Sequence, residues 1–211
     1  MGTTRKPVNE NDSKVKKRRA EPVVNRDEKI LEENKNRLLN LVKDMKNVVC
    51  QPNCDPIYTF GVEGSNREGP PSLDDWTFSP VDANMGAGGD WIYIGYKTSP
   101  TEAPVTDVVV GRYSEHHSSV PSDLSGFRMD FTDLNMDAGG DYLYLAWRSN
   151  GKDKPIRNMM LLANDNDSAA MIDGWERVRD QHGKVVDLNK GAGGKYIWMY
   201  VSRVICPNTG K

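Results

Sequence analysis

The chain is poor in the residues that most often perform chemistry: 211 positions hold three cysteines and three histidines. Cys50, Cys54 and Cys206 have no second pair at metal-ligand spacing, which excludes a cysteine-based zinc site, and they read as reduced thiols. His116 and His117 share a polar loop, RYSEHHSSVPSD, with neither a nucleophile motif nor a paired cysteine nearby. No catalytic constellation, metal site or cofactor motif is found, so a non-enzymatic protein is expected. Long apolar runs are missing as well. Nothing approaches the ~20 residues of a membrane-spanning helix, and no apolar core of a secretory signal stands near Met1. A cytoplasmic location, with a nuclear one as the alternative, is therefore expected. Asn11 and Asn166 match the Asn-x-Ser glycosylation pattern, which has no consequence without a secretory route.

Hydrophobic residues make up 37% and aromatics 8%, enough for one sizeable core with an extension. The charge is divided unevenly. Residues 1–54 carry 13 Lys+Arg against 8 Asp+Glu, and residues 55–211 carry 15 against 22, so a +5 leader precedes a −7 body. An acidic body argues against nucleic acid as a partner.

Residues 1–24 are polar and nearly free of aliphatics, which predicts a disordered tail. Lys14, Lys16, Lys17, Arg18 and Arg19 cluster within it. Such a run is either a solvated charge cluster, a nuclear-import signal or an element attracted to anionic lipid headgroups. From residue 25 to 50, Ile30, Leu31, Leu38, Leu41, Val42, Met45 and Val49 recur at three, four and seven, the spacing of one helical face. Asn25 with Glu28 forms a capping box at its start. One amphipathic helix is predicted, docked on the body or on a protein partner.

The body contains an internal repeat. DANMGAGGDWIYIGY (82–96), DLNMDAGGDYLYLAW (133–147) and DLNKGAGGKYIWMYV (187–201) align without gaps, their aspartates 51 and 54 residues apart. Trp76, Phe127 and Trp175 precede the motif, and DPIYTF, APVTDVVV and KPIRNMML open each unit. Three units are thus bounded at about 55–98, 104–149 and 155–204 within a domain of residues 55–205. In each, Asp82, Asp133 or Asp187 with Asn84, Asn135 or Asn189 supplies short side chains that hydrogen-bond local backbone. The pairs Gly88–Gly89, Gly139–Gly140 and Gly193–Gly194 permit positive φ. These are hairpin turns. The run that follows is aromatic and β-branched, hence a strand. Its aliphatic set, Ile92, Ile94, Leu143, Leu145, Ile197 and Met199, is assigned to the core. Tyr93, Tyr144 and Trp198 lie on the other face, either packed under loops or forming an exposed aromatic ring with a ligand role. Cys54 and Cys206 bracket the repeats, so a closed arrangement would bring them near each other.

Other readings of the motif fail on its residues. Asp133, Asn135, Asp137 and Asp141 imitate the first positions of a calcium loop, but Tyr144 stands where the bidentate glutamate belongs. A phosphate cradle needs a helix after the glycines, and a strand follows. Threefold repetition suits structure better than a single active site.

Three β-units each carrying a DLNxGAGGxYIY-like hairpin resemble the multivesicular-body-associated β-prism family, and VVDLNKGAGGKYIWMYVSR is closest to its motif. The first copy departs from it at Ala83 and Met85-Gly86. The resemblance implies an all-β fold, a threefold β-prism of three antiparallel sheets. It further implies a non-catalytic module in vesicular or endosomal trafficking that associates with acidic membranes. The basic cluster is then the candidate contact with an anionic membrane surface, beside a loop contact that the motif does not place. Two alternatives are a lectin-like or pore-forming-toxin-associated targeting domain, and a nuclear protein-interaction module.

Overall fold

The computed structural model describes residues 55–204. The basic tail, the predicted helix at 25–50, and Cys50, Cys54 and Cys206 lie outside the described residues. Of the two units into which the chain divides, the second, Val48–Lys211, contains everything below.

The described chain is all-β, with ten strands in three sheets and one short 3-10 turn at Ser122–Leu124. Each sequence repeat builds its own sheet. The first supplies β1 (Ile57–Ser65), β2 (Thr77–Phe78) and β3 (Trp91–Thr98) in the order β1-β3-β2. The second supplies β4 (Asp107–Tyr113), β5 (Arg128–Met129) and β6 (Tyr142–Arg148), ordered β4-β6-β5. The third supplies β7 (Asn158–Asn164), β8 (Glu176–Arg177) and β10 (Tyr196–Ser202), ordered β7-β10-β8. In every copy the glycine turn feeds the central strand, and the central strand pairs antiparallel with both neighbours.

The central strands are apolar on both faces because they are covered on both. Ile92, Ile94, Leu143, Leu145, Ile197 and Met199 are buried in one core shared by all three sheets, joined by Leu134, Leu188 and Ala83 from the turns. Full burial of such a side chain contributes about 1.5–3 kcal/mol, so this inner layer is the main source of stability.

A tenth strand breaks the antiparallel pattern expected for all three sheets. β9 (Arg179–Asp180), from the third repeat, pairs parallel with β4 of the second, Val109 opposite Arg179 and Val110 opposite Asp180. Gln181 prolongs the seam with its side chain: Oε1 accepts from Arg112 N at 2.9 Å and Nε2 donates to Arg112 O at 2.9 Å. The cause is an insertion. Trp76 and Phe127 precede their aspartates by six residues (76 to 82, 127 to 133), whereas Trp175 precedes Asp187 by twelve (175 to 187).

Candidate functional site

The three turns meet. Within each, one aspartate oxygen accepts two backbone N–H groups, from Asn84 and Ile92, from Asn135 and Leu143, and from Asn189 and Ile197, all at 2.9–3.1 Å. This ties the turn to the strand it feeds. The asparagine Nδ2 then donates to its own turn and to the next copy: Asn84 to Asp90 O and Met136 O, Asn135 to Asp141 O and Lys190 O, Asn189 to Lys195 O and Met85 O. Backbone bonds follow the same cycle, from Asp90 N to Met136 O (3.3 Å), Asp141 N to Lys190 O (3.1 Å) and Lys195 N to Met85 O (3.0 Å). First copy joins second, second joins third, and third returns to first.

Such close approach explains the second glycine of each pair. A Cβ on Gly89, Gly140 or Gly194 would lie 2.4–2.6 Å from backbone of the adjoining copy, whereas one on Gly88, Gly139 or Gly193 would meet nothing within 4 Å. All six have positive φ. The sequence signal for the turn was therefore a signal for assembly as well.

A second ring lies at the other end of the sheets, since Ile57 pairs opposite Thr98 while Trp91, next to the turn, pairs with Ser65. Ile57 N donates to Ile156 O (2.8 Å), Ile156 N to Val105 O (2.9 Å) and Val105 N to Ile57 O (2.7 Å). Each of these residues is fully buried and follows a proline, Pro56, Pro104 or Pro155.

The aromatic residues expected as a candidate ring are not on the surface. Tyr93, Tyr144 and Trp198 are 2%, 0% and 5% exposed. Loops reach two of them, Gly69 N donating to the Tyr93 hydroxyl (2.7 Å) and His117 N to the Tyr144 hydroxyl (3.1 Å), while Trp198 Nε1 donates to Asn164 Oδ1 at the end of β7 (3.4 Å). Desolvation pushes both tyrosine hydroxyls above their ordinary range. The two tyrosines strap loops onto sheets, and all three side chains are buried rather than presented to solvent.

What the loops expose was missed at the sequence level. Leu73, Val120 and Met171 are 44%, 38% and 83% exposed, one in the loop before β2, one before β5 and one before β8. Isolated apolar residues in variable loops carry no periodic signal, so no pattern marked them. Met171 also lines the rim of a groove of about 580 Å³ in which Trp175, Arg177, Arg179 and Arg203 take part. Arg203 is paired with Glu176 at 2.9 Å. Arg177 and Arg179 instead donate to the carbonyls of Ala169 and Gly183. Neither forms an ion pair among the described residues, although Asp107, Asp123, Glu176 and Asp180 line the same groove.

Among the described residues no group of three His, Cys, Asp or Glu could hold a metal ion, and no helix is long and apolar enough to cross a membrane. Compared with known proteins, the chain matches no family model and no curated protein.

Proposed function

We propose that this chain is a non-enzymatic binding module with the architecture of a threefold β-prism, which associates peripherally with anionic membranes as an adaptor in vesicular or endosomal trafficking. The prism reading is supported by three sheets, one per repeat, joined cyclically by two rings of hydrogen bonds. The membrane reading is carried by one observation: Met171, the most exposed large apolar residue among those described, lines the same groove as Arg177 and Arg179. An exposed apolar side chain sharing a groove with arginines suits an interface of acyl chains below and phosphates above, where each cation contributes about 1 kcal/mol. The basic cluster Lys14–Arg19 adds a second attraction, needed because the body itself carries a net charge of −7.

Flotation of the full chain with liposomes tests this reading. Recovery should rise with phosphatidylserine content, and the double change Arg177→Ala, Arg179→Ala should weaken binding about thirtyfold, the loss of two contacts of that size, while Met171→Asp should also weaken it with the melting curve unchanged. Equal recovery with and without acidic lipid would turn attention to the lectin-like and nuclear alternatives.

A further inference from the structure

Two seams between copies carry a peptide bond and the third carries none. Copy one runs into copy two between Thr101 and Glu102, and copy two into copy three between Lys152 and Asp153. These positions are equivalent by count. Thr101 and Lys152 each follow their motif aspartate by nineteen residues (82 to 101, 133 to 152), and Glu102 and Asp153 each precede the proline of the lower ring by two (102 to 104, 153 to 155). The same counts at the two ends of the array fall on Cys206 (187 to 206) and Cys54 (54 to 56). Two of the three cysteines thus stand where threefold equivalence calls for a link and the backbone supplies none.

The described residues hold this equivalence in space. Ile57, Val105 and Ile156 bond one another in a cycle at 2.7–2.9 Å, and the strand ends repeat, Thr106 N donating to Arg148 O (2.9 Å) and Arg157 N to Ser202 O (2.8 Å). Lys97 to Val105 and Arg148 to Ile156 are both eight steps along the chain; Ser202 to Cys206 is four and Cys54 to Ile57 three, so one link between the cysteines completes the same eight. The end of copy three is held against the ring. Arg203 donates from Nη1 to Thr106 O (2.7 Å) and to Lys154 O, beside the starts of the other two copies. Cys54 adjoins Asp55, the first described residue, Cys206 lies two beyond Val204, the last, and both belong to the unit Val48–Lys211. Val204 is 47% exposed, which leaves this end of the seam open to a soluble oxidant.

Residues joined by a peptide have Cα atoms about 3.8 Å apart, and a disulfide spans about 4.4–6.8 Å, so a bridge can replace the missing peptide with little adjustment. We propose that Cys54 and Cys206 form an intramolecular disulfide that closes the third seam covalently, a pairing that rests on the threefold architecture, and that Cys50 stays a free thiol. Composition alone reads all three as reduced; their positions make two of them a redox pair. The oxidant is a small disulfide such as oxidised glutathione. One cysteine thiolate attacks it, forming a mixed disulfide and releasing one glutathione, and the second cysteine displaces the other. The protein S–S bond forms as that of the oxidant breaks, and two electrons and the two cysteine protons pass to two glutathione thiols. The loop so closed encloses all three copies, and the bridge stabilises chiefly by restricting the unfolded chain.

The test is oxidation of the full native chain in a glutathione redox buffer, blocking of remaining thiols with N-ethylmaleimide, and mass mapping of tryptic peptides, for the natural chain and for Cys50→Ser. Peptide 47–67, which holds Cys50 and Cys54, should be joined to peptide 204–211, which holds Cys206, in both proteins. The oxidised Cys50→Ser chain should melt about 5–15 °C above the same chain reduced. In concentrated guanidinium chloride the natural chain should change partners, because loop entropy then favours the short Cys50–Cys54 loop over one of about 150 residues by roughly a hundredfold. A native chain that yields mainly Cys50–Cys54 or intermolecular bonds, or an oxidised Cys50→Ser chain that melts like the reduced one, would overturn the proposal. Amide exchange at Ile57 in the reduced chain shows which part has failed. Protection matching that of Val105 overturns the disulfide alone, and far faster exchange overturns the threefold architecture with it.

Discussion

Gly139 and Gly140 are neighbours with nearly the same backbone, φ of 78° and 86°, yet they answer to different constraints. At Gly139 a methyl group meets open space, so Gly139→Ala pays only for its left-handed conformation, about 1 kcal/mol. At Gly140 the same methyl would sit 2.6 Å from Lys190 O, which is backbone held in the ring. Gly140→Ala should therefore lose about 3 kcal/mol or more in urea unfolding, and equal losses for the two variants would contradict the packing described. Asp133 gives a pH signature at the same scale. Desolvation raises its carboxyl above the usual aspartate range, with the Leu143 and Asn135 N–H groups opposing. A folded-state value above the unfolded one contributes stability that is present at low pH and lost as pH rises through the folded value. Asp133→Asn keeps an oxygen for both N–H groups and removes the titration. Its stability relative to the natural chain should thus increase from pH 3 to pH 7, and a decrease over that range would reverse the assignment.

At the scale of elements, the repeat motif made the central strands and their turns legible, because alternating apolar faces and paired glycines are local properties that survive in any context. The aliphatic assignment to the core follows from the same alternation, and Ile92, Leu143 and Ile197 are fully buried. Two features could not be read from the motif alone. One is the choice between the buried and the exposed reading of Tyr93, Tyr144 and Trp198, decided within each copy by residues outside the motif. The other is β9, whose only trace is the longer stretch between Trp175 and Asp187. Gln181 extends the pairing of β9 along the second sheet's edge, its side chain satisfying both backbone groups of Arg112. Gln181→Ala should cost about 1–2 kcal/mol and raise exchange at the Arg112 amide specifically. If Arg112 exchange is unchanged, the side chain is not the seal of that edge.

For the whole molecule the decisive property is closure. A linear array of three sheets would leave the first and third copies with exposed edges and unshared turns, while a ring leaves none of the turns different from the others. The prolines before Ile57, Val105 and Ile156 and the asparagines after the aspartates were visible in the sequence, but their cyclic bonding across 46 or more residues was not, since each bond joins a copy to a different copy. Closure makes the seam between the third and first copies equivalent to the other two. Native-state hydrogen exchange reads this directly at six amides: Ile57, Val105 and Ile156 in one ring, and Asp90, Asp141 and Lys195 in the other. In a closed molecule all six open only with the global transition, and their protection should agree within about tenfold. Exchange at Ile57 and Lys195, the two amides of the seam that closes the ring, about a thousandfold faster than at Val105 and Asp141 would show an open array and contradict the account.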